Sequence, residues 1–284
     1  MSVGDLQSRG GKRLHRTAAS GEHEWPLVTV ITAVFNGVDT ISDCIESVLS
    51  QDYPHIEHIV IDGSSTDGTI DVLREYETRI ALWISERDSG VFDAWNKALE
   101  LAHGEWIAFL GADDTFLPGA ISEYLELARR NPKANFLTSR ARLQHPSGYS
   151  PEFGGLWTWP RAARAMPSIH VGAMHRRSIF AQHGQFDATY RIAGDYEFLL
   201  RAREDLNAAF MPRVTVAMRA GGLSDSTAGL LEAKRAKLQN NIRSAFLAEV
   251  EFCTLALRFH VRRIVIKIAS FMKLFPDSQH GALP

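Results

Sequence analysis

The sequence predicts an α/β fold: a sheet with helices on both faces, an irregular second half and an amphipathic helical tail. Three observations carry this. Between Leu27 and Pro118, β-branched runs alternate with segments of helical apolar spacing, giving four β-then-α units in about 100 residues. The alternation breaks after Asn131. The stretch from Phe252 to Phe275 has no acidic residue and gathers its apolar side chains on one side of a helical wheel.

Leu27 to Val34 is a β-branched run, read as a buried strand. Ile41, Cys44, Ile45, Val48 and Leu49 then share one helical face, and Tyr53-Pro54 ends that helix. Ile56 to Ile61 is the second strand, closed by Asp62-Gly63-Ser64. A helix follows with Ile70, Leu73 and Tyr76 inward, and Ile80 to Ile84 is the third strand. Val91, Trp95, Ala98 and Leu99 mark the next helix. Trp106 to Leu110 is the fourth strand, and a helix starts at Pro118, a favourable first helical position. Beyond Asn131, Phe136 to Gln144 and Ala208 to Met218 read as strands, Phe153 to Met166 as a loop or short helix, and Arg191 to Arg203 contains a helix. Thr227 onward is helical.

The 284 residues suffice for one large α/β domain with an appendage, and 45% hydrophobic with 23% charged residues marks a globular chain. A net charge of -2 gives no reason to expect a nucleic-acid partner. Two distant cysteines, Cys44 and Cys253, make no disulfide framework and suit a reducing compartment, with Cys44 on the apolar helix face as packing. Residues 1 to 24 lack the apolar run of a signal peptide, and no run of about 20 apolar residues suggests a membrane span.

Ligands of open α/β sheets bind beyond the carboxyl ends of the strands. Those ends carry Phe35-Asn36, Asp62, Glu86 with Asp88, and Asp113-Asp114, which the fold would bring to one edge. Paired carboxylates suit Mg²⁺ or Mn²⁺ completed by substrate phosphates; alternatively, one of the two caps the helix at Pro118. Asp62 either closes a turn or accepts a bond from a nucleobase N–H. Asp195, in Gly194-Asp195-Tyr196-Glu197, is either a helix N-cap or a general base. His55 and His58 read as surface residues, and His170 and His175 as core or site. There is no Walker lysine, His-Glu-x-x-His pattern or nucleophile elbow.

The ordered set Val30 to Asn36, Ile61 to Thr69, Ser85 to Lys97, Gly104 to Asp114 and Gly194 to Glu197 resembles the family 2 inverting glycosyltransferases of the GT-A fold. That resemblance implies a Rossmann-like mixed sheet flanked by helices. It implies nucleotide-sugar contacts from Phe35, Asn36, Asp62, Asp88, Lys97 and Asp113, a metal ligand in Asp114 and a catalytic base in Asp195. His170 stands where relatives often carry a histidine near acceptor or diphosphate. The chain departs from the family at Phe35, where tyrosine is common, at Gly111, where aspartate is common, and at Gly194, where glutamate is common. The Gln-x-x-Arg-Trp motif of processive members is absent.

The expected organisation is a disordered leader over 1–25, a glycosyltransferase domain over 26–225 and a helical extension over 226–284. Within the domain, 26–118 is the nucleotide-sugar half and 119–225 the acceptor half. The expected reaction is metal-dependent, non-processive, inverting transfer from a UDP- or GDP-sugar to a hydroxyl of a glycan or lipid-linked acceptor, in cell-envelope or extracellular glycan synthesis. Rival readings are a sugar-nucleotide-forming nucleotidyltransferase, disfavoured because Thr32 to Thr40 has no cation, and a non-catalytic nucleotide-sugar-binding protein. The expected location is the cytoplasm. The basic tail over 252–275 reads equally as a peripheral contact with the inner face of the membrane or as a helix packed on the domain.

Overall fold

The computed structural model describes residues 6–14, 25–146, 148–221 and 226–274. The first three βα units form as the periodicity predicts. They are β2 (Val28–Val34), α1 (Ile41–Leu49), β3 (Ile56–Asp62), α2 (Thr69–Glu75), β4 (Leu82–Glu86) and α3 (Val91–Leu101). β5 (Trp106–Phe109), the short β6 (Thr115–Phe116) and α4 (Ala120–Arg130) follow. β2 to β5 pair in parallel in the order β4-β3-β2-β5. Strand order therefore reverses between β2 and β5, which opens a crevice at their carboxyl ends.

The second half completes one mixed sheet. β7 (Phe136–Gln144), β8 (Glu152–Phe153), α5 (Trp159–Ala162), β9 (Met174–Arg176), α6 (Ser178–His183), α7 (Gly194–Ala202) and β10 (Ala208–Arg219) follow in order. Antiparallel β9 joins β5 to β7, β10 runs parallel to β7, and β6 closes that edge antiparallel to β10. α8 (Thr227–Gln239) and α9 (Ala245–Leu274) form the helical extension.

Ile41, Cys44, Ile45 and Val48 of α1 are buried as their spacing predicts, and the two isoleucines and the valine contribute about 1.5–3 kcal/mol each. The other face of the sheet carries a larger cluster that includes Phe92, Phe109, Phe136, Phe180, Phe186 and Phe198. Its aromatic rings meet edge-on and tilted, as Phe109 and Phe186 do at 5.2 Å and 82°.

Two expectations are corrected here. The leader is not disordered throughout: Leu6–Gly10 form β1, an antiparallel edge strand on β4. Arg13 fixes its continuation by pairing with Glu57 at 3.0 Å and donating to the Leu101 carbonyl oxygen. Gly10 is required beside Trp83, whose Nε1 would lie 2.4 Å from a β-carbon there. Residues 1–5 and 15–24 lie outside the described residues. His58 is not a surface residue but is buried, its Nε2 3.1 Å from the Thr32 hydroxyl; α1 and α2 pack on one face of β3 and α3 on the other, so both its faces are covered.

Among the described residues no helix is long and apolar enough to cross a membrane. On α9, Leu257, Val261 and Ile264 are 66%, 50% and 57% exposed. Of the expected amphipathic face over 252–275, residue 275 and the side chains of 262, 263 and 265–274 lie outside the described residues.

Candidate functional site

The loops that leave β2 and β3 are stitched together by side chains of the second. Asn36, held at φ 50, donates its N–H to the Ser65 hydroxyl at 2.7 Å, and its Oδ1 accepts from the Thr66 N–H. The Gly37 and Val38 N–H groups donate to Thr69 Oγ1 and Asp67 Oδ2, each at 3.0 Å. The polar run after Asp62 thus serves as a clamp that sets the loop carrying Phe35. Phe35 itself is 67% exposed, an unusual position for a phenylalanine and one suited to stacking on a planar ligand.

That loop borders a cavity of about 630 Å³ at the β2–β5 reversal. Phe35, Asn36, Asp113, His170, Arg191 and Asp195 all line it. The fold therefore brings five of the nine sequence-predicted residues to one cleft, together with Arg191.

The remaining predicted residues differ. Asp62 is wholly buried; its Oδ2 accepts from the Ser65 N–H and the Ser85 hydroxyl at 3.0 and 2.7 Å, while Oδ1 has no partner among the described residues. Asp88 stands over Gly63, its Oδ2 2.7 Å from where a β-carbon would sit, and burial pushes its carboxyl up. Lys97 does not line the cavity. It pairs with Glu86 at 2.9 Å and donates to the Arg87 carbonyl oxygen at 2.7 Å, so it anchors α3 to the end of β4 instead.

The two adjacent aspartates sit in different surroundings. A tight turn, with the Asp114 N–H on the Gly111 carbonyl oxygen, leaves Asp113 facing the cavity. Asp114 lies beneath it, 5% exposed, and accepts the Arg219 N–H of β10 at 3.0 Å. Burial, and then the Asp113 charge, push the Asp114 carboxyl up to about 7. Both carboxylates border the notch left by Gly111: a β-carbon there would meet Asp114 Oδ2 at 2.5 Å and Asp113 Oδ1 at 3.1 Å. Among the described residues no three His, Cys, Asp or Glu side chains gather to hold a metal. Two carboxylates at a notch still fit a hard cation whose other ligands come from a diphosphate and water.

His170 packs against both Trp95 and Phe109, each ring centroid 5.3 Å away with 25° between planes, while the Trp95 and Phe109 rings lie 4.6 Å from one another. Neither ring nitrogen has a partner among the described residues. Burial pushes the imidazole down to about 3, so the ring is neutral at pH 7 and offers one donor and one acceptor.

Asp195 enters at the start of α7. Gly194 lets the helix sit against Phe92, whose ring would lie 2.8 Å from a β-carbon at that position. A glutamate there has no room while Phe92 stays in place. Burial lifts the Asp195 carboxyl to about 6, with the Glu232 charge adding to the rise. A partly buried carboxylate with that proton affinity can take a proton near neutral pH.

Sequence reasoning missed Arg191 and Glu232. Arg191 lines the cavity and forms no side-chain ion pair among the described residues; its place four residues before Asp195 was the available signal. Glu232, on α8, accepts the N–H groups of Arg191, Ile192 and Ala193, and nothing local in its sequence marks it.

Comparison with known proteins bears on the family and the fold. The sequence model of glycosyl transferase family 2 matches residues 29–164. TuaG of Bacillus subtilis, whose name assigns it to teichuronic acid biosynthesis, is 46% identical over 104 residues, covering 36% of this chain and 41% of that protein. The chain thus spans less than half the length of TuaG. An uncharacterized glycosyltransferase of Mycobacterium tuberculosis is 33% identical over 187 residues, 62% of this chain and 69% of that one. In fold, Staphylococcus aureus TarS 1–349 in complex with UDP-GlcNAc is similar at a TM-score of 0.63 and 18% identity, covering 77% of this chain and 67% of that one. The mannosyltransferase PcManGT of Pyrobaculum calidifontis, in complex with GDP-Man and Mn²⁺, gives 0.58 and 17%, covering 88% and 81%. The clamp after β3, the carboxylates after β5 and the Asp195 turn lie in a GT-A-type sheet, and the chain belongs to glycosyl transferase family 2.

Proposed function

We propose that this chain transfers a glycosyl group from a UDP- or GDP-sugar to an acceptor hydroxyl, with inversion at the anomeric carbon. One observation carries the reading: Asp113, His170, Arg191 and Asp195 share a single cavity at the strand-order reversal, with a carboxylate of raised proton affinity among them.

Phe35 stacks on the base, with Asp88 and the spare oxygen of Asp62 behind Gly63 within reach of the nucleoside. Arg191 and neutral His170 donate to the diphosphate. Asp195 accepts the acceptor hydroxyl's proton as its oxygen bonds the anomeric carbon, and the nucleoside diphosphate leaves with the electrons of the broken glycosyl bond. Asp113 and Asp114 would hold Mg²⁺ or Mn²⁺, which would supply neutralisation of the diphosphate charge. Donor complexes of similar folds, with UDP-GlcNAc and with GDP-Man and Mn²⁺, support the donor class and the cation.

Cell-envelope or extracellular glycan synthesis is the role we favour, since TuaG is named for teichuronic acid biosynthesis. The exposed apolar row Leu257, Val261 and Ile264, with exposed Arg258 beside it, suits a peripheral contact with an anionic membrane face. The test is a thermal-shift screen of nucleotide sugars with and without Mn²⁺, followed by transfer assays. Stabilisation by a UDP- or GDP-sugar with turnover supports transfer. Pyrophosphate release from a nucleoside triphosphate and a sugar phosphate would replace it with nucleotidyl transfer.

A further inference from the structure

A second cavity, of about 320 Å³, opens on another side of Asp195. Met166, Ile192, Leu230, Ala233, Phe252 and Leu255 form its apolar wall. Met166, Ile192 and Asp195 line both cavities, so the carboxylate stands at their junction. The far wall comes from α8 and α9, beyond the residues 29–164 that the family model matches. This space is therefore built by the part of the chain that the general family pattern leaves unspecified.

Its chemistry is one-sided. No Ser, Thr, Asn or Gln lines it among the described residues, and the Tyr196 hydroxyl is already donated to the Ala162 carbonyl oxygen. Lys234 pairs with Glu249 at 2.9 Å and lies over the Phe252 ring at 4.7 Å. Lys237 is buried, paired with Glu251 at 2.7 Å, and donates to the Arg164 carbonyl oxygen at 3.1 Å. Both lysine charges are thus already matched, and the third cation of the lining, Arg164, is exposed to water. A free sugar would find few partners for its hydroxyls, and burying them unpaired is costly. An apolar group, by contrast, gains about 25 cal/mol for each Å² it removes from water.

We infer that this cavity receives an apolar aglycone, and that the acceptor is an alkyl- or aryl-linked hydroxyl compound whose reacting hydroxyl is presented to Asp195. The inference rests on the transfer reading, because it takes Asp195 as the base that divides donor from acceptor. The cavity's preference, however, is measurable without any donor.

The experiment is calorimetric titration of the full chain with octyl β-D-glucoside, kept below its micellar concentration, and with glucose. The expected result is at least ten-fold tighter binding of the octyl compound. That preference should fall below three-fold in Ala233→Phe, which fills the cavity, and in Leu255→Gln, which makes its wall polar. A cooperative melt identifies which variants are folded, and either one suffices. Equal binding of the two probes by the wild type, or an undiminished preference in the folded variants, overturns the proposal. A preference that behaves as expected in a protein that no nucleotide sugar stabilises would uphold the cavity and reject the transfer reading instead.

Discussion

Glu232 of α8 holds the turn that delivers Asp195: its carboxylate accepts the N–H groups of Arg191, Ile192 and Ala193 at 2.8–3.1 Å. The helical extension is therefore tied to the candidate base, and α7 begins on a turn with its backbone donors satisfied. The same negative charge adds to the upward shift of Asp195.

Glu232→Ala should destabilise the fold by about 2–3 kcal/mol, since hydrogen bonds to a charged group contribute about 1.5–3 kcal/mol each and water recovers part of the loss. Glu232→Gln keeps an acceptor oxygen and removes the charge. It should retain more stability and shift the acid limb of the rate profile to lower pH. Urea denaturation and a pH–rate profile measure the two effects separately.

Asp195→Asn should lower kcat by about 10²–10⁴-fold, the usual contribution of a general base, while nucleotide binding persists. Because the folded carboxyl is raised from 3.8 to about 6, wild-type turnover should decline below about pH 6 as the base becomes protonated. The stability effect runs the other way. A raised carboxyl binds its proton more tightly in the folded state, so its contribution is fully present below pH 3.8 and is lost as pH rises through 6. Asp195→Asn should therefore raise the melting temperature at pH 8, by about 2 kcal/mol of stability after allowing for partial contact with water, and leave it unchanged at pH 3.5. Melting curves at the two pH values, with turnover near the wild-type rate as the adverse result, decide the matter.

Mn²⁺-dependent nucleotide binding should weaken from pH 8 to pH 6. Asp114 holds its proton below about 7, and the carboxylate pair attracts a cation best when both members are ionised. Asp113→Asn should abolish the Mn²⁺-dependent part of nucleotide affinity, and chelation with EDTA should do the same to the wild type. Titrations unaffected by EDTA, pH and the substitution would remove the cation from the site.

Gly194→Ala should cost about 1–3 kcal/mol, because its β-carbon enters the Phe92 ring at 2.8 Å. Phe92→Leu in the same chain should recover part of that loss. A double-mutant cycle with no coupling between the two positions would show that the glycine is not there to accommodate the ring.

Local pattern determined much of this protein. Continuous β-branched runs and period-3.6 apolar spacing placed β2 to β5 and the helices between them, because each such element is specified by neighbours a few residues apart. Strand ends then located Phe35, Asn36 and Asp113 at one edge, and the ordered family resemblance singled out His170 and Asp195. Tertiary structure decided the rest. Nothing local shows that the turn at Gly111 sends Asp113 outward and Asp114 down to the Arg219 N–H, 105 residues away in sequence. Nor does it show that Lys97 is occupied by Glu86, that Leu6–Gly10 cover the edge of β4, or that Glu232 reaches the turn before Asp195. These are contacts between distant segments, set by which faces pack together, and an isolated side chain carries no periodic signal of the partner it will meet.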